Sequence, residues 1–467
     1  MKAVAIAIPK AESDPNRPVY HFCPPANWNN DPNGPIWFRG WYHLFYQHNP
    51  YAAVWGHMHW GHARSRDLVN WEHLPIALWP SHDKGEEHCF SGGAILASDG
   101  LPRLIYTSIG DRDPEQWMAI PKDEELIVWE KYSRNPVLAL SIHGNRKVYD
   151  WRDPFLFREA GKTYMVCGGN VNHRLQGGGA EVQLYMATKA DLSGWEYRGQ
   201  VFDFLDREVV NIECPNLFKL GSKWVLLCSP HRSCEYLIGD LDLQRGKFIP
   251  ERRGELDAGS AYASNILHDE QGRSFLWLWG KTNTNPDKGW NGCMVMPRLL
   301  GIGNDGFLRQ SPSIEFESLR GELRTAQAVL LDEQSQTFDE HISGDCLEIQ
   351  AELRTRTAAV VGLRVRCKAD GSSGTEISFS PKTGMIKIGN VEKLVGNQQP
   401  VRLRLFLDKC VMEAYVNDGQ AAIFTTVDAS VNDLGIAAFA TGGTAQLDAL
   451  KMWPLKRAHF SLERFKV

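Results

Sequence analysis

Three acidic residues stand in short, rigid sequence contexts that could support catalysis. They are Asp31, Asp153 and Glu213, and a proline follows each one directly or one residue later. A pair of carboxyl groups can cleave a glycosidic bond, since one attacks the anomeric carbon and the other protonates the leaving oxygen. Several carboxylates can also hold a metal ion. The three acids therefore indicate either a glycosidase or a metal site.

The neighbours of the acids favour the glycosidase. The amide of Asn30 can bind sugar hydroxyls, and Arg152 is expected to keep Asp153 ionised. The apolar setting of Glu213 next to Cys214 and Pro215 is expected to raise the pKa of the Glu213 carboxyl, as a general acid requires. A calcium site would need more oxygen ligands than this set supplies. We therefore predict no metal and no cofactor.

A second candidate metal cluster is His57, His59 and His62. Strand alternation would place two of these imidazoles on one face, which is compatible with zinc. The cluster lacks a nearby cysteine or glutamate ligand, and local histidine groups of this kind are usually structural. We interpret the three histidines as structural.

The acids belong to a repeat that must position them. Similar segments start at Asp31, Ser91, Asp153, Glu213 and Tyr262, about 60 residues apart and nearer 50 in the last step. Each copy reads as a short strand, a glycine turn and a second strand rich in β-branched and aromatic residues, which indicates a hairpin. Each period has room for about four strands, and units of four strands around an axis form a β-propeller. The repeat predicts an all-β protein with a five-bladed β-propeller.

The first strand of each propeller blade lines the central channel. The repeat therefore places the five starting residues around one axis, with three carboxylates at one end of it. We expect Gln47, Trp55 and Trp60 of the first repeat to form one wall of the site. Like charges this close oppose each other's ionisation, so the arrangement costs stability. Its presence therefore indicates a function.

The pattern changes after residue 320. Residues 1–320 are predicted to form the propeller, and the polar residues 321–344 a linker. Residues 345–467 contain short alternating segments with turn residues every 8–12 positions, which predicts a β-sandwich. The sandwich shows no cluster of acids or histidines, so we expect it to support the propeller.

Composition limits the possible partners. The 467 residues carry a formal charge of −5 with a pI near 6.3, which disfavours nucleic acid. An apolar run long enough to span a membrane is missing, and the ten cysteines include no Cys-x-x-Cys pair. The apolar run at residues 3–8 is too short for a signal peptide, so we expect a cytoplasmic protein. If a leader precedes this sequence, the expectation is secretion. The oligomeric state cannot be predicted.

The motifs resemble glycoside hydrolase family 32, which contains invertases, fructanases and plant-type fructosyltransferases. The opening motif of that family corresponds to residues 28–34, its Arg-Asp-Pro motif to residues 152–154 and its Glu-Cys-Pro motif to residues 213–215. Further matches lie at residues 45–50, 55–62, 90–92 and 297–298, in family order.

This resemblance implies a five-bladed propeller followed by a sandwich, and a retaining β-fructofuranosidase. It implies that Asp31 is the nucleophile, Glu213 the acid/base and Asp153 the residue that stabilises the transition state. The substrate-binding residues that it implies are Asn30, Gln47, Trp55, Phe90, Ser91, Arg152, Tyr262 and Trp279.

The sequence departs from the family pattern at two places, and the second of them, before Tyr262, leaves the identity of the leaving group open. Asn29 replaces the usual Met or Leu, and Ser260-Ala261 precedes Tyr262 where the family usually has Asp-Phe. Sucrose is the expected substrate; sucrose-6-phosphate hydrolysis, fructan hydrolysis and fructosyl transfer are the alternatives. A non-catalytic fructan-binding protein and an arabinanase-like propeller enzyme are further alternatives from other classes. Asn30 favours hydrolysis over transfer, because many plant fructosyltransferases have Ser there.

Overall fold

The computed structural model describes residues 1–172, 177–333, 336–338 and 341–465. It begins with helix α1 (Lys2–Glu12), and nearly all remaining regular structure is β-strand. No helix among the described residues has the length and apolar character needed to cross a bilayer. All ten cysteines are free thiols, and eight of them are buried.

Five antiparallel sheets of four main strands form the blades of a propeller. Blade one contains β1 (Asn27–Phe38), β2 (Trp41–Asn49), β3 (His59–Ser65) and β4 (Trp71–Leu78), and blade two contains β5 (Glu86–Leu96), β6 (Pro102–Gly110), β7 (Glu115–Pro121) and β8 (Trp129–Lys131), with β9 (Leu138–Ala139) beside β7. Blade three contains β10 (Tyr149–Glu159), β11 (Lys162–Asn170), β12 (Ala180–Ala187) and β13 (Trp195–Asp203), and blade four contains β14 (Glu213–Leu220), β15 (Lys223–Ser229), β16 (Glu235–Asp242) and β17 (Lys247–Glu255). Blade five contains β18 (Ala261–His268), β19 (Ser274–Gly280), β22 (Arg298–Ile302) and β23 (Leu308–Pro312); between β19 and β22, the short strand β20 (Trp290–Asn291) pairs with β1 of blade one and β21 (Cys293–Met294) pairs with β19.

The blades close into a ring through their first strands. The strands β1, β5, β10, β14 and β18 contact one another in this order, and β18 contacts β1. Amide side chains join these strands: Asn265 donates hydrogen bonds to the carbonyl oxygens of Pro32 and Gly92, both at 3.1 Å. The first hairpin of every blade turns on a glycine with positive φ, which suits a residue without a Cβ. These glycines are Gly40, Gly100, Gly161, Gly221 and Gly272.

Two further sheets form the predicted β-sandwich. One contains β24 (Arg324–Ala326), β25 (Val329–Leu331), β27 (Cys346–Thr355), β32 (Val401–Asp408), β33 (Val411–Val416), β34 (Ala421–Thr426) and β36 (Ala445–Pro454); the other contains β26 (Gln336–Thr337), β28 (Val360–Cys367), β29 (Thr375–Ser380), β30 (Met385–Ile388), β31 (Val391–Leu394) and β35 (Gly435–Thr441). Their inner faces share one apolar core. A last strand, β37 (Phe460–Ser461), returns to the propeller and pairs with β4.

The segment 321–344, expected as a linker, contains three short strands. Within its described residues, β24 and β25 pair with β36, and β26 pairs with β35. The polar composition of the segment did not indicate these strands, because strands at a sheet edge need few apolar residues when one face of the sheet meets solvent.

Candidate active site

The site residues predicted from the sequence line a single cavity of about 230 Å³ where the first strands of the five blades meet. Blades one to three contribute most of them, and blades four and five contribute the rest. They are Asn30, Asp31, Gln47, Trp55, Phe90, Ser91, Arg152, Asp153, Glu213, Tyr262 and Trp279.

A β-bulge interrupts the first strand of every blade at the level of the cavity. The pairing register shifts between Asn29 and Pro32 in β1 and between Cys89 and Gly92 in β5. The corresponding shifts in β10, β14 and β18 span residues 152–155, 213–216 and 262–265. A bulge changes the direction in which side chains point. Five bulges at one level therefore turn the polar residues towards the axis.

Asp31 receives hydrogen bonds on both carboxylate oxygens. Ser91 Oγ donates to Oδ2 at 2.6 Å, and Asn30 Nδ2 donates to Oδ1 at 2.9 Å. Trp28 Nε1 donates to Asn30 Oδ1 at 2.7 Å, which fixes the orientation of the Asn30 amide. Burial raises the pKa of Asp31, although these donors favour the ionised form. Asp31 is thus a positioned carboxylate with its geometry set from two blades.

Asp153 is held by backbone contacts in a strained conformation. Its φ is +63°, its backbone N–H donates to Thr107 Oγ1 at 2.9 Å, and Cys214 N–H donates to its Oδ2 at 3.0 Å. Burial, with Glu213 and Asp31 adding to it, raises the pKa of Asp153 to about 7 against the opposing effect of Arg152. A raised pKa contradicts the expectation that Arg152 keeps Asp153 ionised, because burial outweighs the guanidinium.

The guanidinium of Arg152 instead pairs with Glu213. Arg152 Nη2 donates to Glu213 Oε1 at 2.7 Å, whereas its Nε lies 3.8 Å from Asp153 Oδ2. Tyr262 OH donates to Glu213 Oε2 at 2.7 Å, and His231 Nδ1 lies 3.7 Å from the same oxygen. Burial acts to raise the pKa of Glu213, but Arg152, His231 and Tyr262 lower it overall. The expected raised pKa of Glu213 is wrong, because Arg152, His231 and Tyr262, and not Cys214 and Pro215, set its charge environment.

Cys214 links two of the acids, a role that the sequence did not predict. Its Sγ lies 3.6 Å from Asp31 Oδ2 and 3.8 Å from Asp153 Oδ2. Burial, followed by the nearby Asp153 and Asp31, raises the pKa of the thiol well above its ordinary value, so the sulfur keeps its proton. The Glu-Cys-Pro motif could have indicated this role, because it places a cysteine thiol, a weak hydrogen-bond donor, next to the acid.

Aromatic side chains form the rim of the cavity. Trp55 is 55% exposed, and its ring lies 6.3 Å from that of Phe90. Trp279 packs edge-on against Trp28 with ring centroids 5.6 Å apart. Trp60, expected in the wall, is fully buried behind it and donates from Nε1 to the Phe90 carbonyl oxygen at 3.0 Å. Alternation along β3 turns Trp60 inward to the blade core.

A second cavity of about 220 Å³ adjoins the first at Tyr262. Its lining contains the basic side chains of His231, Arg232 and Lys281. The small residues of segment 259–261 also line it. Arg232 is neutralised by Asp206 and Glu235, both at 2.9 Å, whereas Lys281 Nζ lies 4.1 Å from the ring centroid of Tyr262. The altered residues before Tyr262 were the only sequence signal for this cavity. Its cations come from loops that share no motif.

The described residues contain no group of three or more acids, histidines or cysteines suited to hold a metal ion. Of the histidine cluster, His62 stacks on Phe45 with centroids 4.1 Å apart and contacts His43 through Nε2 at 3.0 Å. His59 contacts the His57 carbonyl oxygen. These are packing roles within blade one.

Chemically, the main cavity presents the positioned carboxylate of Asp31 and a second carboxylate, Glu213, which is bound by Arg152 and Tyr262. Residues 21–312 match the profile described as "Glycosyl hydrolases family 32 N-terminal domain", and residues 315–454 match "Glycosyl hydrolases family 32 C terminal". The chain belongs to glycoside hydrolase family 32.

Three family 32 proteins are similar over nearly their whole length. A sucrose-6-phosphate hydrolase of Zymomonas mobilis is 31% identical, over 95% of this chain and 93% of that protein. A solved structure of a Bombyx mori β-fructofuranosidase variant in complex with sucrose is 27% identical, with a TM-score of 0.81, 98% of this chain and 97% of that chain covered. Fructan 1-exohydrolase IIa of Cichorium intybus shares the fold with a TM-score of 0.84 at 24% identity, over 96% of this chain and 99% of that chain.

Proposed function

We propose that this protein is a retaining β-fructofuranosidase that hydrolyses sucrose. The observation that carries the proposal is the cavity itself, in which Asp31, Asp153 and Glu213 meet with donors fixed on each. The similarity to a β-fructofuranosidase solved with sucrose supports the substrate class. The substrate is a small sugar, as expected for a cavity of about 230 Å³.

In the first step, Asp31 attacks the anomeric carbon of the fructosyl unit and forms a covalent ester. The bond to the bridging oxygen breaks, and Glu213 gives its proton to that oxygen as glucose leaves. In the second step, Glu213 takes a proton from water, the water oxygen attacks the same carbon, and Asp31 is released. Asp153 and Arg152 lie where hydroxyl groups of the fructosyl unit would bind.

The donors around Glu213 imply that its protonation is linked to sugar binding. Arg152 and Tyr262 bond Glu213 directly and favour its ionised form. A bound sugar excludes water and offers hydroxyl oxygens to Arg152, and both effects raise the pKa of Glu213. We infer that Glu213 acquires its proton in the enzyme–substrate complex.

Product chromatography with sucrose at low and high concentration tests the activity. Equal amounts of glucose and fructose at both concentrations are expected for a hydrolase. Glucose in excess of fructose, with trisaccharides at high sucrose, would instead identify a fructosyltransferase. No release from sucrose, inulin, levan or sucrose-6-phosphate would overturn the proposal in favour of a fructan-binding protein.

The second cavity favours a second candidate substrate, sucrose-6-phosphate. It adjoins Tyr262 on the side from which the glucose would leave. Lys281 Nζ lies over the rings of Tyr262 and Trp279, and no carboxylate among the described residues forms an ion pair with it. A phosphate there would find an ammonium and the hydroxyls of Ser233 and Ser260. The similarity to a sucrose-6-phosphate hydrolase agrees with this candidate.

The two substrates are distinguished by their kcat/KM values in the wild type and in Lys281→Gln. A phosphate role predicts that the variant loses about tenfold on sucrose-6-phosphate and little on sucrose, because one charge-assisted contact is removed. Lys219→Gln, on the outer surface of blade four, is the matched control. Equal losses of kcat/KM on both substrates would mean that Lys281 only supports the position of Tyr262 and does not bind phosphate.

A further inference from the structure

The sandwich contacts the propeller directly beside the active cavity. Strand β34 is the last strand of its sheet, so one of its edges is open to other partners. The propeller segment 257–260, between β17 and β18, lies along this edge. Ala258 N–H donates to the Ala422 carbonyl oxygen at 3.3 Å, and Ser260 N–H donates to the Phe424 carbonyl oxygen at 2.8 Å. The segment thus extends the sandwich sheet with two backbone hydrogen bonds.

Asp257 fixes the start of this segment. Its carboxylate accepts hydrogen bonds from Phe424 N–H at 3.1 Å and Gly259 N–H at 2.8 Å. Arg298 Nη2 lies 2.8 Å from Asp257 Oδ2 and 3.1 Å from Glu413 Oε2, and all three side chains are inaccessible to solvent. A buried charge stripped of its partner is costly, so this arrangement has little freedom to shift.

The ring of Phe424 locks the segment from the other side. It is fully buried in an apolar cluster with Ala261, Leu278 and Val295 of the propeller. A Cβ on Gly280 would lie 2.5 Å from the ring, and a Cβ on Gly259 would lie 1.9 Å from the Phe424 carbonyl oxygen. Both glycines are therefore required for the close approach of the two domains.

The segment ends at the acid side of the cavity. Ala261 and Tyr262 pair with Gly280 and Trp279 at the start of β18, and Tyr262 OH contacts Glu213. Residues 259–261 also line the second cavity, towards which the glucose would leave. A displacement of the segment would therefore reach the leaving-group side and not the carboxylate of Asp31.

We propose that the sandwich sets leaving-group specificity, with Phe424 as the positioning residue that holds segment 257–261 and, with it, the wall that residues 259–261 form in the second cavity. This inference rests on the proposed function. It gives the C-terminal domain a role in the reaction, although no side chain among the described residues of that domain lines the main cavity. It also accounts for Gly259, because a Cβ at this position would meet the Phe424 carbonyl oxygen of strand β34.

The test compares sucrose with methyl β-D-fructofuranoside, which has the same fructosyl group and a much smaller leaving group. In Phe424→Leu we expect kcat/KM for sucrose to fall about fivefold or more, because small misplacements of positioned groups cost large factors in rate. For the methyl fructoside, kcat/KM should change less than about twofold. Gly259→Ala, which must push the segment off β34, should shift the ratio in the same direction.

Phe439→Leu is the matched control. Phe439 is a buried phenylalanine of the other sandwich sheet, and its ring also lies over a glycine, 2.7 Å from a Cβ on Gly362. It should leave the ratio of the two substrates unchanged. An unchanged ratio in folded Phe424→Leu and Gly259→Ala, or an equal shift in Phe439→Leu, would overturn the inference. A wild type that cleaves neither substrate would instead overturn the proposed function.

Discussion

The two sides of the active cavity are held by different kinds of contacts. On the proposed fructose side, Asp153 is buried, Asp31 is half-buried, and both are bound mainly by neutral donors: Ser91, Asn30 and a backbone N–H. On the leaving-group side, Glu213 is bound by the cation Arg152 and by Tyr262. Burial therefore raises the pKa of the first two acids, whereas Arg152, His231 and Tyr262 together lower the pKa of Glu213 although burial acts in the opposite direction.

This difference suits the proposed division of labour. A nucleophile must keep one geometry through both steps, which neutral donors from neighbouring blades can maintain. An acid/base must change its charge twice in each cycle, and Glu213 has partners that can be shared with a sugar. The three acids therefore differ in their hydrogen-bond and charge partners, which their own sequence motifs do not reveal.

The largest effect should come from Asp31→Asn. Without the carboxylate no fructosyl ester forms, and we expect kcat to fall by about 10⁴-fold or more for every substrate, whatever its leaving group. Steady-state assays with sucrose measure the loss, and the melting temperature should stay near that of the wild type. Asp83→Asn, an exposed aspartate, is the control. Turnover near the wild-type value would refute the nucleophile role.

Glu213→Gln should instead show a loss that depends on the leaving group. We expect kcat for sucrose to fall by about 10²–10⁴-fold, the usual contribution of a general acid. For p-nitrophenyl β-D-fructofuranoside, formation of the fructosyl ester should be much less affected, because nitrophenolate departs without a proton. A burst of nitrophenolate in rapid-mixing experiments would show that the fructosyl ester still forms quickly in the variant. Equal losses of burst rate and sucrose turnover would contradict the assignment.

Asp153→Asn should lower activity and raise stability at high pH. The folded pKa of about 7 lies above the ordinary 3.8, so between these values the folded protein binds the proton more tightly than the unfolded chain. The contribution of Asp153 to the free energy of unfolding therefore falls as pH rises through this window. Removal of the charge should stabilise the protein by roughly 1–4 kcal/mol at pH 8 and by little at pH 4.

Thermal unfolding at these two pH values measures the effect of Asp153→Asn. The melting temperature should rise at pH 8 only. A melting temperature that is lower than that of the wild type at pH 8 would mean that Asp153 is ionised and stabilised in the fold.

Tyr262→Phe should have the smallest effect. Loss of one hydrogen bond to Glu213 costs about 1 kcal/mol, or roughly fivefold in rate. Because the hydroxyl favours the ionised carboxylate, its removal should raise the pKa of Glu213 and move the basic limb of the kcat/KM profile to higher pH. Tyr197→Phe, whose hydroxyl bonds Gln183 in blade three, should leave the profile unchanged. A shift to lower pH would refute the role of Tyr262.

The amino-acid sequence by itself determined the fold class and which residues meet. A hairpin repeat with a polar residue in the same place of each copy leaves few ways to close the ring, and it brings Asp31, Asp153 and Glu213 to one axis. Strand alternation and glycine turns are local properties, so they can be read from sequence.

The tertiary structure alone decided how the site is charged and what lies beside it. Arg152 adjoins Asp153 in sequence, yet its guanidinium reaches Glu213, 61 residues away, because the bulges turn the strands. The contact of Phe424 with Ser260, 164 residues apart, likewise depends on how two domains meet. Charge and burial act through space, and spatial neighbours on different blades leave no local pattern in the chain.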